Sequence, residues 1–432
     1  MDISKQQLDR LETELDSFDA VTRHEALGAL WSLAQQDETG LPPCGDKLNL
    51  HSHTFFSYNA YGYSPSKFAW LARKRGLYAA GIVDFDVLDG LEEFLEAGRL
   101  LGLKTCVSLE SRVFVPEFST RVINSPGEPG IAYNMGVGFV FQQLTGFAAD
   151  YLAAMRRTAD QRNRELIGRV NAFTAPVSLD YDRDVLPLTP NGNATERHIC
   201  AAYSKKGDTA FWKSKIGDCP TDDGKFQALI RAKTMKRGGV GYVQPGPDTF
   251  PLMAEMNRFT LAAGAIPTLA WLDGTSDGES CLEELLQAAI RVGTSAVAII
   301  PDRNFTPGVK DVKLQNLYNF VAMAEKYHLP VHIGTEMNAP GNKFVDDLDA
   351  IELKPLLPVF HKGAHICYAH SVLQRQAGLG YLSEWARQTF AAVSDKNAFY
   401  AELGRRLQPS QETRLQGLPG NVTPGGIFDK LT

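Results

Sequence analysis

Apolar positions along the chain change period twice. Leu8, Leu11 and Leu15 recur at helical spacing, and Ser4 with Gln7 reads as a capping box, so the chain is expected to open with an amphipathic helix. The stretch ETGLPPCGDK ends this helical preamble. From Lys47 short apolar runs alternate with longer helical patterns: KLNLHSH, SPSKFAWLARKRG, LYAAGIVDFD, LDGLEEFLEAGRLLG, LKTCVSLESRVFV, with Gly76 and Gly102 closing the two helices. This order predicts βα units on a parallel sheet. The rhythm stops between about Asn134 and Pro247, where helical stretches (FAADYLAAMRRTADQRNRELIGRVNAF, ATERHICAAYSKKG) are broken by LTPNGN and CPTDDGK. An inserted helical subdomain follows from that change. The rhythm then returns, with strands AIPTLA, SAVAII and PVHIG that are apolar on both faces, as in a barrel or doubly wound sheet. After Pro340 comes a further region, KPLLPVFHKGAHICYAHSVLQRQAGLG, and a polar tail after Pro409. The expected division is an N-terminal helical extension (1–46), a first barrel part (47–133), a mainly helical insertion (134–247), a second barrel part (248–345) and a C-terminal extension packing on the barrel (346–432).

Composition narrows the chemistry. The 432 residues are 44% hydrophobic and 22% charged, which is ordinary for a globular chain with one large core. A formal charge of -6 argues against bulk nucleic-acid binding, while leaving room for a local basic pocket around one phosphate. The 6 cysteines (Cys44, Cys106, Cys200, Cys219, Cys281, Cys367) form no C-x-x-C pair, which disfavours a zinc ribbon, a redox motif and a disulfide scaffold, and suits reduced buried thiols. No apolar run approaches the roughly 20 residues of a membrane span, and the acidic start does not resemble a signal peptide. A cytoplasmic location with no membrane partner is expected.

The chemistry concentrates in LNLHSH. Residues two apart on a strand share a face, so His51 and His53 project together, with Ser52 opposite. Two imidazoles a strand pitch apart can grip one metal ion, although H-x-H by itself is an unspecific pattern.

The stretch GIVDFDVLDGLEEFLEAGRLLGLKTCVSLES resembles, in order and spacing after H-x-H, the second and third motifs of the PHP (polymerase and histidinol phosphatase) superfamily. AGAIPTLAW is similar to that family's GG-apolar-LAH strand, LPVHIGTEMN to its LPVTGGSDAH strand, and NRELIGRVNAF with ERHICAAYSKKG to the helical insertion of its phosphoesterase branch. The resemblance covers about Lys47 to Asn342. It implies an α/β fold, a distorted TIM-like (β/α)7 barrel, with a metal centre at the carboxyl ends of the strands. Carried over position by position, the first metal site survives as His51, His53 and Glu110, with Glu336 in place of an aspartate. The family's other ligand positions hold Phe85, Tyr133, Trp271 and Asn338. Bulky rings at three of these would exclude a second cation and its waters. The resemblance therefore implies one divalent ion, zinc, manganese or iron, since mixed nitrogen and oxygen donors do not discriminate sharply among them.

A single ion would leave the grip on phosphate to cationic side chains. Arg197 and His198 match the family segment that reaches the phosphate; a plain surface pair on a helix is the other reading. Asp84 either orients His51 or His53, or takes a proton, or caps the turn after its strand. His365 and His370 are structural or replace a lost ligand. His361 and His365 share a helix face only if a helix runs through Gly363, which is not expected. Tyr58, Tyr61 and Tyr63 line the barrel mouth or pack on the helix KFAWLARK. Two functions remain open: a metal-dependent phosphoesterase acting on a small phosphorylated molecule, or a catalytically silent PHP-like domain binding a ligand or partner. A third keeps the ion but hydrolyses an amide or ester.

Overall fold

The computed structural model describes residues 5–36, 40–246 and 249–431. Ser4, the expected cap of the first helix, and the boundary at Pro247 lie outside the described residues.

Helix α1 (Lys5–Glu14) turns Leu8 and Leu11 inward, and Leu15 follows just past its end. It docks on α3 (Pro65–Lys74): Glu12 accepts from Trp70 Nε1 at 2.9 Å and pairs with Lys74 at 2.5 Å, and Ser64, the cap of α3, donates to the Leu15 carbonyl. Between them, α2 (Ala20–Gln35) starts at Asp19, whose carboxylate accepts from Thr22 N at 2.8 Å.

Seven strands form one sheet in sequential order: β1 (Leu48–Ser52), β2 (Ala79–Phe85), β3 (Lys104–Phe114), β4 (Ile131–Val137), β5 (Ile266–Trp271), β6 (Ala296–Ile299) and β7 (Val331–Ile333). All neighbours are parallel except β4, which is antiparallel to both β3 and β5. β4 also crosses position 134. The chain returns from β3 to β4 with no α-helix between them, only a 3-10 turn at Pro116–Phe118, so the strand direction reverses there and the βα rhythm is lost. Past β7 the chain bends onto β1, with Thr335 N and Glu336 N both donating to the His51 carbonyl (3.0 and 2.8 Å) and His53 N donating to Glu336 O (2.8 Å). Gly334 permits this, because a Cβ there would lie 2.3 Å from His51 N. The result is a nearly closed, distorted TIM-like barrel.

Strand alternation divides the core. Leu109, Leu269, Val297 and Ile299 face outward into the largest apolar cluster, against Phe94 of α4 (Leu91–Leu101) and residues of later helices. Val83, Cys106, Met135, Val137, Ala270 and Ala298 face inward. The insertion comprises α5 (Gly146–Thr174), α6 (Glu196–Ser204), α7 (Thr209–Ile216) and α8 (Asp223–Thr234). At 29 residues, α5 is about 44 Å long. Its Ala148 and Met155 pack into the barrel core, while Leu166, Ile167 and Val170 join Tyr203, Trp212 and Ile230 in a core of the insertion's own. Helices α9 (Met253–Ala262), α10 (Leu282–Arg291) and α11 (Lys310–Lys326) complete the outer layer, through Phe259, Leu285 and Phe320.

Helix α12 (Leu357–Ala377) corrects one expectation, since it runs straight through Gly363. A Cβ on Gly363 would sit 1.9 Å from the Val331 carbonyl oxygen, so the glycine lets the helix lie directly on β7. Close packing outweighs a propensity penalty of about 1 kcal/mol. Ile266 and Ala296, the first residues of β5 and β6, meet Tyr368 and Leu373 of α12 and Tyr400 and Leu403 of a later helix (Val393–Arg406), which close the amino end of the barrel. No described helix is long and apolar enough to cross a membrane.

Candidate metal centre

The carboxyl ends of β1 and β3 bring three donors together. His51 and His53 are 2% and 0% exposed, and their Nε2 atoms lie 3.7 and 3.3 Å from Glu110 Oε2. All three donor atoms lie within 4.8 Å of one another. Among the described residues, both ring nitrogens of His51 and Nε2 of His53 have no hydrogen-bond partner. The contacts to Glu110 are ion-pair contacts whose length or alignment falls short of hydrogen bonding. Leaving a buried donor or acceptor unsatisfied costs about 1–3 kcal/mol, so three such nitrogens around one carboxylate need an explanation, and a cation supplies it. Burial alone would raise the Glu110 carboxyl, but the two histidines pull it down to about 2. Burial would likewise lower His53, and Glu110 more than reverses this, so its pKa is raised.

Asp84, at the end of β2, accepts from Thr54 N (2.9 Å), Thr54 Oγ1 (2.7 Å) and Ser57 Oγ (2.6 Å). Ser57 Oγ in turn lies 3.1 Å from His53 Nδ1. Because the Ser57 proton is committed to Asp84, its oxygen must accept from Nδ1–H, which leaves the lone pair of His53 on Nε2, facing Glu110. Burial raises the Asp84 carboxyl, against the charge of His53 and the hydrogen bonds from Ser57 and Thr54. Of the roles considered for Asp84, this geometry corresponds to orienting His53. Ser57 is the link that sequence reasoning passed over; it sits four residues beyond His53 in the loop after β1.

Glu336 has side-chain partners of its own. Arg303 Nη2 contacts both its oxygens (3.3 and 3.4 Å) and Asn338 Nδ2 donates to it at 3.1 Å. The backbone is left-handed at Glu336 and Met337 (φ 64° and 53°), and such paired non-glycine residues store strain at the rim of the site. Arg303 was not foreseen, although it stands just past the carboxyl end of β6.

The four substituted ligand positions behave differently from one another. Phe85 stacks on the His53 ring (centroids 4.5 Å apart, 24° between planes), and Tyr133 lies 6.4 Å beyond it. Asn338 holds Glu336. Trp271 departs from the expectation of rings filling the mouth: it stacks on Phe320 of α11 at 4.4 Å, in the layer outside the barrel, because strand alternation places Ala270 inward instead.

Cationic groups converge on Tyr133 from several elements. Its hydroxyl, raised by burial, feels the charges of Arg112, Glu110, Arg231 and Glu336. Arg112, two residues past Glu110 on the same face of β3, pairs with Glu128 at 3.1 Å. Phe250 is sandwiched between the guanidiniums of Arg112 and Arg162, 4.3 and 4.7 Å from its centroid. Arg231 and Lys236 share Glu196 (2.9 and 2.8 Å). Arg197 makes no hydrogen bond or ion pair through its side chain among the described residues, and it faces Tyr58. His198 is instead occupied: its Nδ1 accepts from Thr195 N at 3.1 Å in the capping box of α6, and burial lowers its pKa to about 4. Tyr58 packs edge-on against it at 5.1 Å. Tyr61 and Tyr63 stack on each other at 5.6 Å, and Tyr61 donates to the Asn342 carbonyl, tying the loop after β1 to the loop after β7.

His365 and His370 sit at the opposite end of the barrel. His365 Nε2 bonds Tyr78 OH (2.9 Å), just before β2, and His361 lies 5.8 Å away on the same helix face. His370 Nε2 bonds the Gly138 carbonyl (3.1 Å), and its Nδ1 accepts from Tyr381 N (2.9 Å), so both nitrogens are used. A surface depression of about 360 Å³, lined by Glu92, Phe141, Gln142 and Gln143, shares no residue with the metal-ligating set.

No family model and no curated protein matches the chain. Solved structures do. An amidohydrolase from Chromobacterium violaceum, with bound sulfate and no metal, superimposes with a TM-score of 0.52 at 18% identity over 73% of this chain and 96% of its own. A protein from Bifidobacterium adolescentis, assigned as a metal-dependent phosphoesterase, gives 0.49 at 19% identity over 74% of this chain and 97% of its own. At these identities the likeness is one of fold.

Proposed function

We propose that this protein is a metal-dependent, phosphoesterase-like hydrolase of the PHP type, acting on a small phosphorylated molecule between the barrel mouth and the helical insertion. One observation carries the reading: both ring nitrogens of His51 and Nε2 of His53, buried and without hydrogen-bond partners among the described residues, converge with Glu110. The donor set, two imidazoles and one carboxylate that is already deprotonated, fits a divalent ion. A zinc, manganese or iron ion bound there would polarise a phosphoryl oxygen and acidify a water. Around it, the chain's own residues have definite tasks. Asp84 and Ser57 hold the proton on His53 Nδ1. Arg197 and Arg162, which make no ion pair among the described residues, supply charge from the insertion for a phosphate, and Arg112 supplies it from β3. Phe85 and Tyr133 keep the pocket narrow and dry.

The test is metal analysis of protein purified without chelator, followed by a panel of phosphomonoesters, phosphodiesters and acyl substrates with added manganese or zinc. About one equivalent at the mouth, lost in His53→Ala, with turnover of phosphoesters, is expected. Turnover of acyl esters or amides but not phosphates would overturn the reaction class. A second reading, a catalytically silent PHP-like domain that binds a ligand or partner, draws on the contacts by which Arg303 and Asn338 engage the Glu336 carboxylate. No metal at the mouth under any loading condition, with phosphate still bound, would favour it.

A further inference from the structure

We propose a second metal site on the floor of the barrel, where Cys106, Cys367 and His332 hold a thiophilic divalent ion of the zinc class. The three residues come from β3, α12 and β7, and their donor atoms all lie within 4.8 Å of one another. The Sγ atoms of Cys106 and Cys367 are 3.2 Å apart, and His332 Nδ1 is 3.8 Å from Cys367 Sγ. His332 Nε2 donates to the Leu50 carbonyl at 2.9 Å, which places the proton there and leaves the Nδ1 lone pair facing the thiols. Burial holds this imidazole neutral, its pKa lowered to about 3.

Charge and space both suit an ion. Two thiolates, a neutral imidazole and a divalent cation sum to zero, so the loaded site carries no net charge into an interior lined by Val83, Met135, Val137, Ala270 and Ala298. Loading releases two protons from the thiols to solvent. Zinc–sulfur bonds of about 2.3 Å require sulfurs about 3.8 Å apart, so the thiol pair opens by about half an ångström. Three protein donors leave one tetrahedral position. Ser108 Oγ lies 3.8 Å from Cys106 Sγ, and a cavity of about 10 Å³ lined by His332, Cys367 and Gly363 is close to the room one water needs. Such an ion would bolt α12 to the barrel, in a place sharing no ligand with the mouth.

Cobalt distinguishes the two sites, because the mouth offers no sulfur. Protein expressed in cobalt-supplemented medium should show a thiolate-to-cobalt charge-transfer band in the near ultraviolet. The band should persist in His53→Ala and disappear in Cys367→Ser, or in Cys106→Ser if the first variant does not fold, with loss of about one metal equivalent. Absence of the band in cobalt-grown wild type, its survival in the cysteine variants, or a Cys106–Cys367 disulfide in freshly purified protein would each overturn the proposal. None of these outcomes touches the mouth site, whose metal content is read in the cysteine variants.

Discussion

Replacing Asp84 by alanine should loosen the ion at the mouth without removing a ligand. The wild-type carboxylate takes three hydrogen bonds, from Thr54 N, Thr54 Oγ1 and Ser57 Oγ. Alanine removes both acceptor oxygens, so Ser57 loses its acceptor and is free to donate to His53 Nδ1. That moves the imidazole proton to Nε2, the atom that faces Glu110 at 3.3 Å, and an Nε2–H cannot ligate. Loss of an orienting partner of this kind typically costs 10–100-fold in metal affinity, or about 1.4–2.8 kcal/mol. The buried donors of Thr54 left without a partner cost a further ~1–3 kcal/mol of folding stability. A chromophoric-chelator competition gives the first quantity and thermal melting in chelator the second, while the ¹⁵N shifts of His53 in metal-free protein report the tautomer. A folded Asp84→Ala protein with unchanged affinity and an unchanged Nδ1–H signal would refute the relay.

Glu110→Gln should abolish metal binding at the mouth. In metal-free wild type, Glu110 is held at about 2 against an ordinary 4.5, so its contribution is full above about pH 4.5 and is lost as pH falls through about 2. His53, raised by Glu110, contributes below its ordinary 6.5 and loses that contribution as pH rises through its higher value. Urea unfolding across this range should show both slopes in wild type and neither in Glu110→Gln; matching curves would contradict the ion pair. Arg303→Ala should release Glu336, tightening metal binding severalfold while weakening inhibition by inorganic phosphate, both measurable by titration. Trp271→His should bind no additional ion and should destabilise by about 3 kcal/mol or more, since it strips a buried ring from Phe320, as denaturant melts will show. Gly363→Ala should lower stability by about 1–3 kcal/mol even though alanine is the better helix former, because its Cβ meets a backbone carbonyl that cannot give way.

Local pattern made much of this legible. Strand periodicity puts His51 and His53 on one face, and β3 carries Glu110 and Arg112 on the face that continues inward from Cys106. Apolar runs flanked by helices specify an α/β barrel, and the break in rhythm marks where β4 reverses and the insertion begins. What sequence could not supply was any relation between distant positions. Arg303 reaches Glu336 only because β6 and β7 lie side by side, and Ser57 bridges Asp84 to His53 only because the loop after β1 folds over the end of β2. Trp271 faces the helices because the pleat, which a motif alignment does not record, assigns the inward place to Ala270. Gly363 reads as a helix breaker until the Val331 carbonyl beneath it is seen. Periodicity is a property of consecutive residues and survives in the sequence, so the elements and the faces of His51, His53 and Glu110 were determined there. Ion pairs, tautomers and thiol clusters depend on atoms tens or hundreds of residues apart, so only the closed barrel decided which donors remain free.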